Sequence, residues 1–210
     1  MRDGLRPAGL PSRGIHGDVG PREMKKGDDE LLQRFLARGD DGAFEELVVR
    51  YQNGLLGFFM RLCRNRDLAE DLAQETFVKT YIALKRSKRG AKFAPLLYRI
   101  AKAAWYSELR KRYRQPKVHG GVSAYKEVIP SGAPDPAEDR EEKDFSKALR
   151  EAMDELPPDS RLVIEMAYYL DMSYKEIAEA LEIPIGTVKS RLSNAVRKLR
   201  GIMAKRGPKS

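Results

Sequence analysis

Two short helices separated by a tight turn are written into Ser173 to Arg200, and no other stretch says as much about the architecture. Ile177, Ala178 and Leu181 recur at helical spacing. In front of them Ser173 and Glu176 form a Ser-x-x-Glu capping box, each side chain satisfying a free backbone N–H at a helix start. Ile183-Pro184-Ile185-Gly186 then breaks the period, because proline has no donor and glycine permits otherwise strained backbone angles. A second helix, starting near Thr187, sets Val188, Leu192, Ala195, Val196 and Leu199 on one side. Its other side carries Lys189, Ser190, Ser193, Asn194, Arg197 and Arg200. The pattern is a helix-turn-helix with a polar, basic second helix sized for the major groove.

A helical hairpin with a solvated basic exterior would show the same periodicity, and charge separates the two readings. From Ile183 to Ser210 there are eight Lys or Arg and no Asp or Glu. A solvated face gains most from mixed signs, since like charges repel and opposite ones pair at i,i+4. A single-sign face favours a polyanion, and DNA is the expected partner.

The whole chain of 210 residues has a formal charge of +9. Its 41% hydrophobic content is enough for packed helical cores, which excludes a merely disordered basic tail. A single cysteine, Cys63, rules out an internal disulfide framework and a cysteine-based zinc site. It falls among apolar residues at helical spacing, as a buried structural thiol would. His16 and His119 stand far apart without carboxylate or cysteine company, so neither metal nor cofactor is expected. No apolar run approaches the roughly 18 residues that span a bilayer, and the N-terminus has no signal-peptide core. A cytoplasmic protein is the expectation.

The expected fold is all-α, with two helical domains joined by a flexible linker. Residues 1–27, rich in Gly, Pro and Arg, are expected to be a disordered tail in which Met24 offers an alternative start. Helices are expected from about Asp28 to Arg38, Gly42 to Arg64, Asp67 to Leu84 and Ala94 to Arg114, giving a first bundle over 28–114. The second helix aligns Phe44, Leu47, Val48, Tyr51, Leu55, Phe58, Phe59 and Leu62 on one stripe, and the third opens on an Asp67-x-x-Glu70 box. Residues 115–138 contain Pro116, Gly120, Gly121, Pro130, Gly132, Pro134 and Pro136 and form the expected linker. Helices resume from about Pro136 to Leu156 and Pro158 to Leu170, so the helix-turn-helix domain spans 139–204, with a basic tail at 205–210.

Two further segments narrow the reading. Asp67 to Tyr81, DLAEDLAQETFVKTY, is an acidic amphipathic helix, and Phe93 to Lys111, FAPLLYRIAKAAWYSELRK, is an aromatic and basic one. With the helix-turn-helix behind a linker, this order resembles the bacterial sigma factors of the extracytoplasmic-function group in the sigma-70 family, over about Asp28 to Met203. The resemblance implies a first domain that binds core RNA polymerase and opens the minus-ten element of promoter DNA. It implies a second domain that reads the minus-thirty-five element, and commonly an anti-sigma factor that covers these surfaces.

Residue by residue, the D-x-x-Q-E match at Asp71, Gln74 and Glu75 implies a docking surface for the clamp helices of the polymerase's largest subunit. An acidic solvated face is the plain alternative there, and Phe77 is expected to pack inward. Lys85, Arg86, Lys88, Arg89 and Lys92 supply five basic residues in eight around Gly90, where the family captures an extruded base. Extrusion costs a few kcal/mol and stacking on aromatics returns about 1–3 kcal/mol per base. Tyr98, Trp105, Tyr106 and Tyr113 are candidate platforms, with Tyr98 weighted toward the core. Arg99, Lys102, Arg110, Lys111 and Arg112 would hold phosphates. The chain departs from the family at Ala103 and Ser107, where an Asn and an Asp are usual, which bears on melting and minus-ten preference. Thr187, Lys189, Ser190, Arg191, Ser193, Asn194 and Arg197 match the positions used on the minus-thirty-five element. Ser190, Ser193, Asn194 and Arg197 point furthest from the apolar stripe, whereas Arg191 is better placed for phosphate.

Reach agrees with this picture. Promoter elements two DNA turns apart lie roughly 70 Å from one another. A linker of about 24 residues spans at most roughly 80 Å fully extended. Two rival functions remain to be weighed. A LuxR-type regulator should pair its helix-turn-helix with a receiver or sensory domain, and the first half lacks strand-helix alternation. A serine recombinase needs a mixed β domain with a nucleophilic serine, whereas Ser12, Ser87 and Ser107 lie in a tail, a basic loop and a helix. Catalysis is therefore not expected.

Overall fold

The computed structural model describes residues 27–86, 92–114 and 138–206, the side chains of the last segment from Phe145 to Lys205. The expected tail, linker and basic loop centre, with Lys88, Arg89, His16 and His119, lie outside the described residues. Among the described residues every regular element is helical. In chain order these are α1 (Asp28–Arg38), α2 (Asp41–Cys63), α3 (Arg66–Arg86), α4 (Phe93–Arg114), α5 (Glu138–Asp154), α6 (Pro158–Ile164), α7 (Tyr174–Leu181) and α8 (Ile185–Arg206). They form two compact units: α1 to α4 with Lys175–Ile183, and α5, α6 and α8.

In the first unit each boundary has a local chemical cause. Asp28, Asp29 and Glu30 place negative charge at the positive end of α1, and Arg38 sits at its negative end. Gly39 closes the helix at φ 66°, its N–H donating to the Phe35 carbonyl at 3.0 Å. Asp40 then caps α2 by accepting from the Ala43 N–H at 3.2 Å, while Arg34 donates to its other oxygen at 2.7 Å. That pairing, together with the Ala43 N–H, holds the Asp40 carboxyl below the usual carboxylate range. The stripe expected on α2 is the core, with Phe44, Leu47, Leu55, Phe58, Phe59 and Leu62 buried and Val48 and Tyr51 half-buried. Edge-to-face ring contacts run from Phe44 to Tyr81 of α3 (5.1 Å), and from Phe44 to Phe93 (6.1 Å) and Phe58 to Tyr98 (5.6 Å) of α4, tying α2 to both helices. Cys63 is buried as expected, its thiol donating to the Asn65 carbonyl at 3.2 Å.

The capping box expected at Asp67 and Glu70 is corrected. α3 begins one residue earlier, and the Asn65 side chain accepts the Leu68 N–H at 2.8 Å. The Asn65 carbonyl also receives the Ala69 N–H at 2.9 Å, so Asn65 is the cap. Glu70 instead pairs with Arg66 one turn away at 2.7 Å.

The second unit packs Val188, Leu192, Ala195, Val196 and Leu199 of α8, all buried, with Leu149, Ala152 and Met153 of α5 and Leu162, Val163 and Ile164 of α6. The single helix expected over 158–170 does not keep one pitch. Residues Glu165–Tyr169 form a π-turn, in which Leu170 N–H donates to the Glu165 carbonyl at 3.1 Å; just after it, Met172 N–H reaches six residues back to the Met166 carbonyl at 3.0 Å. The turn before α8 also differs from expectation. Glu182, not Gly186, takes the left-handed conformation, at φ 58°. Gly186 lies inside α8, which starts at Ile185 because the Pro184 carbonyl already accepts from Thr187 and Val188 N–H groups at 2.9 and 3.1 Å.

Candidate nucleic-acid interface

α3 presents two opposite faces. At 100° per residue, Ala69, Leu72, Ala73, Thr76, Thr80 and Leu84 fall on one stripe and are buried. Thr76 and Thr80 satisfy their hydroxyls on the carbonyls four residues back, at 2.6 and 2.7 Å, so both tolerate full burial. Asp71, Gln74 and Glu75 fall diametrically opposite and are exposed. Glu75 pairs with Lys79 at 2.5 Å. Val78 and Ile82 continue the same outward stripe, 59% and 42% exposed. Neither was singled out from the sequence. The available signal was their 4-3-4 spacing from Asp71 through Glu75. Phe77 is half-buried.

At the end of α3, Lys85 is engaged within the chain. Its ammonium stands 4.5 Å from the Tyr81 ring centre and 3.5 Å from an Asp41 oxygen, which raises its pKa, the Tyr81 contact contributing most. Arg86 is exposed and Lys92 half-buried.

α4 divides its aromatics between core and surface. Tyr98 is buried, as weighted, and burial pushes its pKa upward. Trp105 must be moved from the DNA-facing set, because it is only 5% exposed and the Arg112 guanidinium lies 6.0 Å from its ring centre. The signal was present in the spacing, since Tyr98, Ala101 and Trp105 recur at i, i+3 and i+7 on one face. Tyr106 remains half-buried, and Tyr113 is 85% exposed near the helix end. Arg99, Ala103, Arg110, Lys111 and Arg112 are exposed, while Ser107 is half-buried. Lys102, also half-buried, donates to the Leu181 carbonyl at 2.9 Å, and Arg99 lies 3.5 Å from Glu182. Glu108 pairs with Lys111 at 3.7 Å and Arg112 at 3.3 Å, holding both heads beside the helix.

On α8 the exposed face is the expected one: Lys189, Ser190, Ser193, Asn194 and Arg197 lie opposite the buried stripe. Asn194 and Arg197 are joined, the guanidinium donating to the amide oxygen at 2.6 Å. This contact orients both groups outward and leaves the amide N–H₂ and the remaining guanidinium donors for a ligand. Thr187 is half-buried, and its carbonyl accepts the Ser190 hydroxyl at 3.1 Å. Arg191 flanks the core and pairs with Asp159 at 3.0 Å, so it would have to exchange that partner for a phosphate. Among the described residues no group of three His, Cys, Asp or Glu could hold a metal, and no helix is long and apolar enough to cross a membrane.

Known proteins share this arrangement. Residues 47–115 match the family model of Sigma-70 region 2, and residues 146–199 match that of Sigma-70, region 4. The RNA polymerase sigma-H factor of Pseudomonas aeruginosa is 32% identical over 178 residues, covering 80% of this chain and 89% of that protein. The ECF RNA polymerase sigma factor SigW of Bacillus subtilis is 31% identical over 171 residues, covering 79% and 91%. Among solved structures, the sigma factor RpoE in complex with the anti-sigma factor NepR from Bartonella quintana aligns with a TM-score of 0.61 at 25% identity, over 77% of this chain and 96% of that one. CnrH in complex with the cytosolic domain of CnrY shares the fold, with a TM-score of 0.61 at 23% identity, over 85% and 98%. With region 2 matched on the first unit, a LuxR-type regulator is not favoured. Proteins of this kind are transcription initiation factors and not enzymes. The chain belongs to the extracytoplasmic-function sigma factors of the sigma-70 family, alternative sigma factors that direct transcription initiation by core RNA polymerase at promoter DNA.

Proposed function

We propose that the two halves of this sigma factor, 28–114 and 139–204, divide promoter recognition between them, without catalysis of their own, in the cytoplasm. Asp71, Gln74 and Glu75 dock on core polymerase. The α4 surface of Arg99, Lys102, Tyr106, Arg110 and Lys111, with Arg86 and the basic loop, takes the minus-ten element. Burial of Trp105 leaves Tyr106 and Tyr113 as the aromatic faces for unstacked bases. Thr187, Lys189, Ser190, Ser193, Asn194 and Arg197 read the minus-thirty-five element, with Arg191 on phosphate. An anti-sigma factor holds the protein inactive by covering the same surfaces.

One observation supports this reading above the others: an outward α8 face carrying Lys189, Ser190, Ser193, Asn194 and Arg197, opposite the buried Val188, Leu192, Ala195, Val196 and Leu199. Arg favours guanine and Asn adenine, each good bidentate pair giving about 1–3 kcal/mol of discrimination. The test is a promoter selection with holoenzyme made from the wild-type chain and from Asn194→Ala and Arg197→Ala. Loss of base preference confined to the upstream element supports the assignment. Unchanged preference in both variants rejects it.

A further inference from the structure

We propose that hydrogen bonds internal to α8 fix the polarity of its reading face, so that Asn194 with Arg197 selects guanine and Ser190 selects a base bearing an exocyclic amino group. This specificity rests on the reading that the face meets the minus-thirty-five element, and it names the base edges taken there. Ser190, Asn194 and Arg197 are spaced 4-3 and fall within about 60° of one another around the helix. All three are exposed, opposite the buried stripe. The Arg197 guanidinium donates to the Asn194 amide oxygen at 2.6 Å. Arginine has donors only, so the oxygen is the amide atom that must face it. Asparagine pairs with adenine by accepting from N6 and donating to N7. Here the accepting atom is drawn along the helix into a charge-assisted bond, and the N–H₂ group is what remains for a base. Beside it stand the other guanidinium donors. Two adjacent donor groups match an edge with two acceptors, and among the four bases only guanine, with O6 and N7, presents one in the major groove.

Ser190 carries the opposite polarity. A hydroxyl has one donor and two acceptor lone pairs, and its single donor is already given to the Thr187 carbonyl at 3.1 Å. What it offers outward is therefore an acceptor, which suits the amino group of cytosine N4 or adenine N6. One helical turn, about 6 Å, separates Ser190 from Asn194, against a rise of about 3.4 Å per base pair, so the two groups address different base pairs. Arg191 lies between them in sequence but belongs to another face, where Asp159 holds it at 3.0 Å, and it adds no donor to this row.

The test uses holoenzyme and a promoter recovered from a library of genomic promoters, its upstream element then randomised. Bound duplexes are sequenced for wild type, Asn194→Ala, Arg197→Met and Ser190→Ala, each checked for folding by far-UV circular dichroism. The position whose preference Asn194→Ala removes should favour guanine over adenine by about tenfold in wild type. Arg197→Met releases the amide oxygen, so adenine should overtake guanine at that position. A preference merely levelled, or guanine still favoured, overturns the coupling. 7-Deazaguanine at the same position lacks the N7 acceptor and should weaken wild-type binding by about fivefold, with no change to the protein. Ser190→Ala should remove a preference for cytosine or adenine at a second position. Adenine favoured by wild type opposite Asn194, or 7-deazaguanine bound as well as guanine, overturns the proposal. So does a guanine or thymine preference lost with Ser190→Ala. If Asn194→Ala and Arg197→Met alter no position of the upstream element, the α8 reading itself fails, a separate outcome from these.

Discussion

Replacing Asp28 by alanine should loosen the whole first helical unit. The carboxylate is 3% exposed at the start of α1 and is held from α2 by two donors, the Arg50 guanidinium at 2.6 Å and the Tyr51 hydroxyl. Burial, with Asp28 contributing second, raises the Tyr51 pKa far above its usual value, so the phenol remains a donor throughout the accessible pH range. Removing one partner of a buried pair costs about 3–5 kcal/mol. The Arg50 side chain is 27% exposed, so water recovers part of its solvation and about 2–3 kcal/mol is the expected loss. Asp28→Asn keeps an acceptor and should cost less, and Tyr51→Phe about 1 kcal/mol. Trp105, the one tryptophan of the chain, is buried in this unit, so its fluorescence during urea titration reports the first unit without contribution from the second. A double-mutant cycle with Arg50→Ala should return a coupling of at least about 1 kcal/mol. A loss below about 0.5 kcal/mol for Asp28→Ala, or a coupling near zero, would refute the tether.

The Asp40 cap makes a prediction in pH. Its folded pKa is depressed, so its stabilisation is present above the unfolded value near 4 and is lost as pH falls through the folded value. The melting temperature of wild type should therefore exceed that of Asp40→Asn, which keeps a capping oxygen but not the charge, by a margin that shrinks below about pH 4. A margin unchanged at low pH would contradict it. At the turn before α8, Glu182→Gly should stabilise by roughly 1 kcal/mol, since φ 58° is strained for a residue with a Cβ, less a small loss from its exposed ion pairs. Gly186→Ala should add about 0.5–1 kcal/mol, because a Cβ there meets nothing within 4 Å. Chemical unfolding measures both, and destabilisation by either would mean the turn is misassigned. Buried Cys63 should react with a thiol reagent only at the rate at which the first unit opens, and rapid reaction in native buffer would deny its burial.

Periodicity made the helices and their buried faces legible, because apolar residues at 3.6-residue spacing admit one packing face. Thus the rows from Phe44 to Leu62 and from Val188 to Leu199 are the cores expected from sequence. Local backbone choices were less legible. Asn65 and Asp67 are both competent caps, and only the position of Cys63 at the end of α2 selects the earlier one. A glycine can take a left-handed angle without having to, so Gly186 did not reveal that Glu182 makes the turn. The π-turn at Glu165–Tyr169 leaves no compositional mark in EMAYY. At the interfaces, charge pattern located the basic faces of α4 and α8, but a row of aromatics does not announce which ring is structural. Trp105 became assignable once Tyr98 and Ala101 were seen to share its face.

The most direct test of the division of labour between the two halves is run-off transcription with core polymerase on a library of genomic promoters. The full chain should direct initiation from a small promoter set sharing two elements about two helical turns apart, and the isolated protein should retain those promoters far more weakly than holoenzyme does. Tight sequence-specific binding by the isolated chain, with no affinity for core polymerase and no run-off product, would contradict the account.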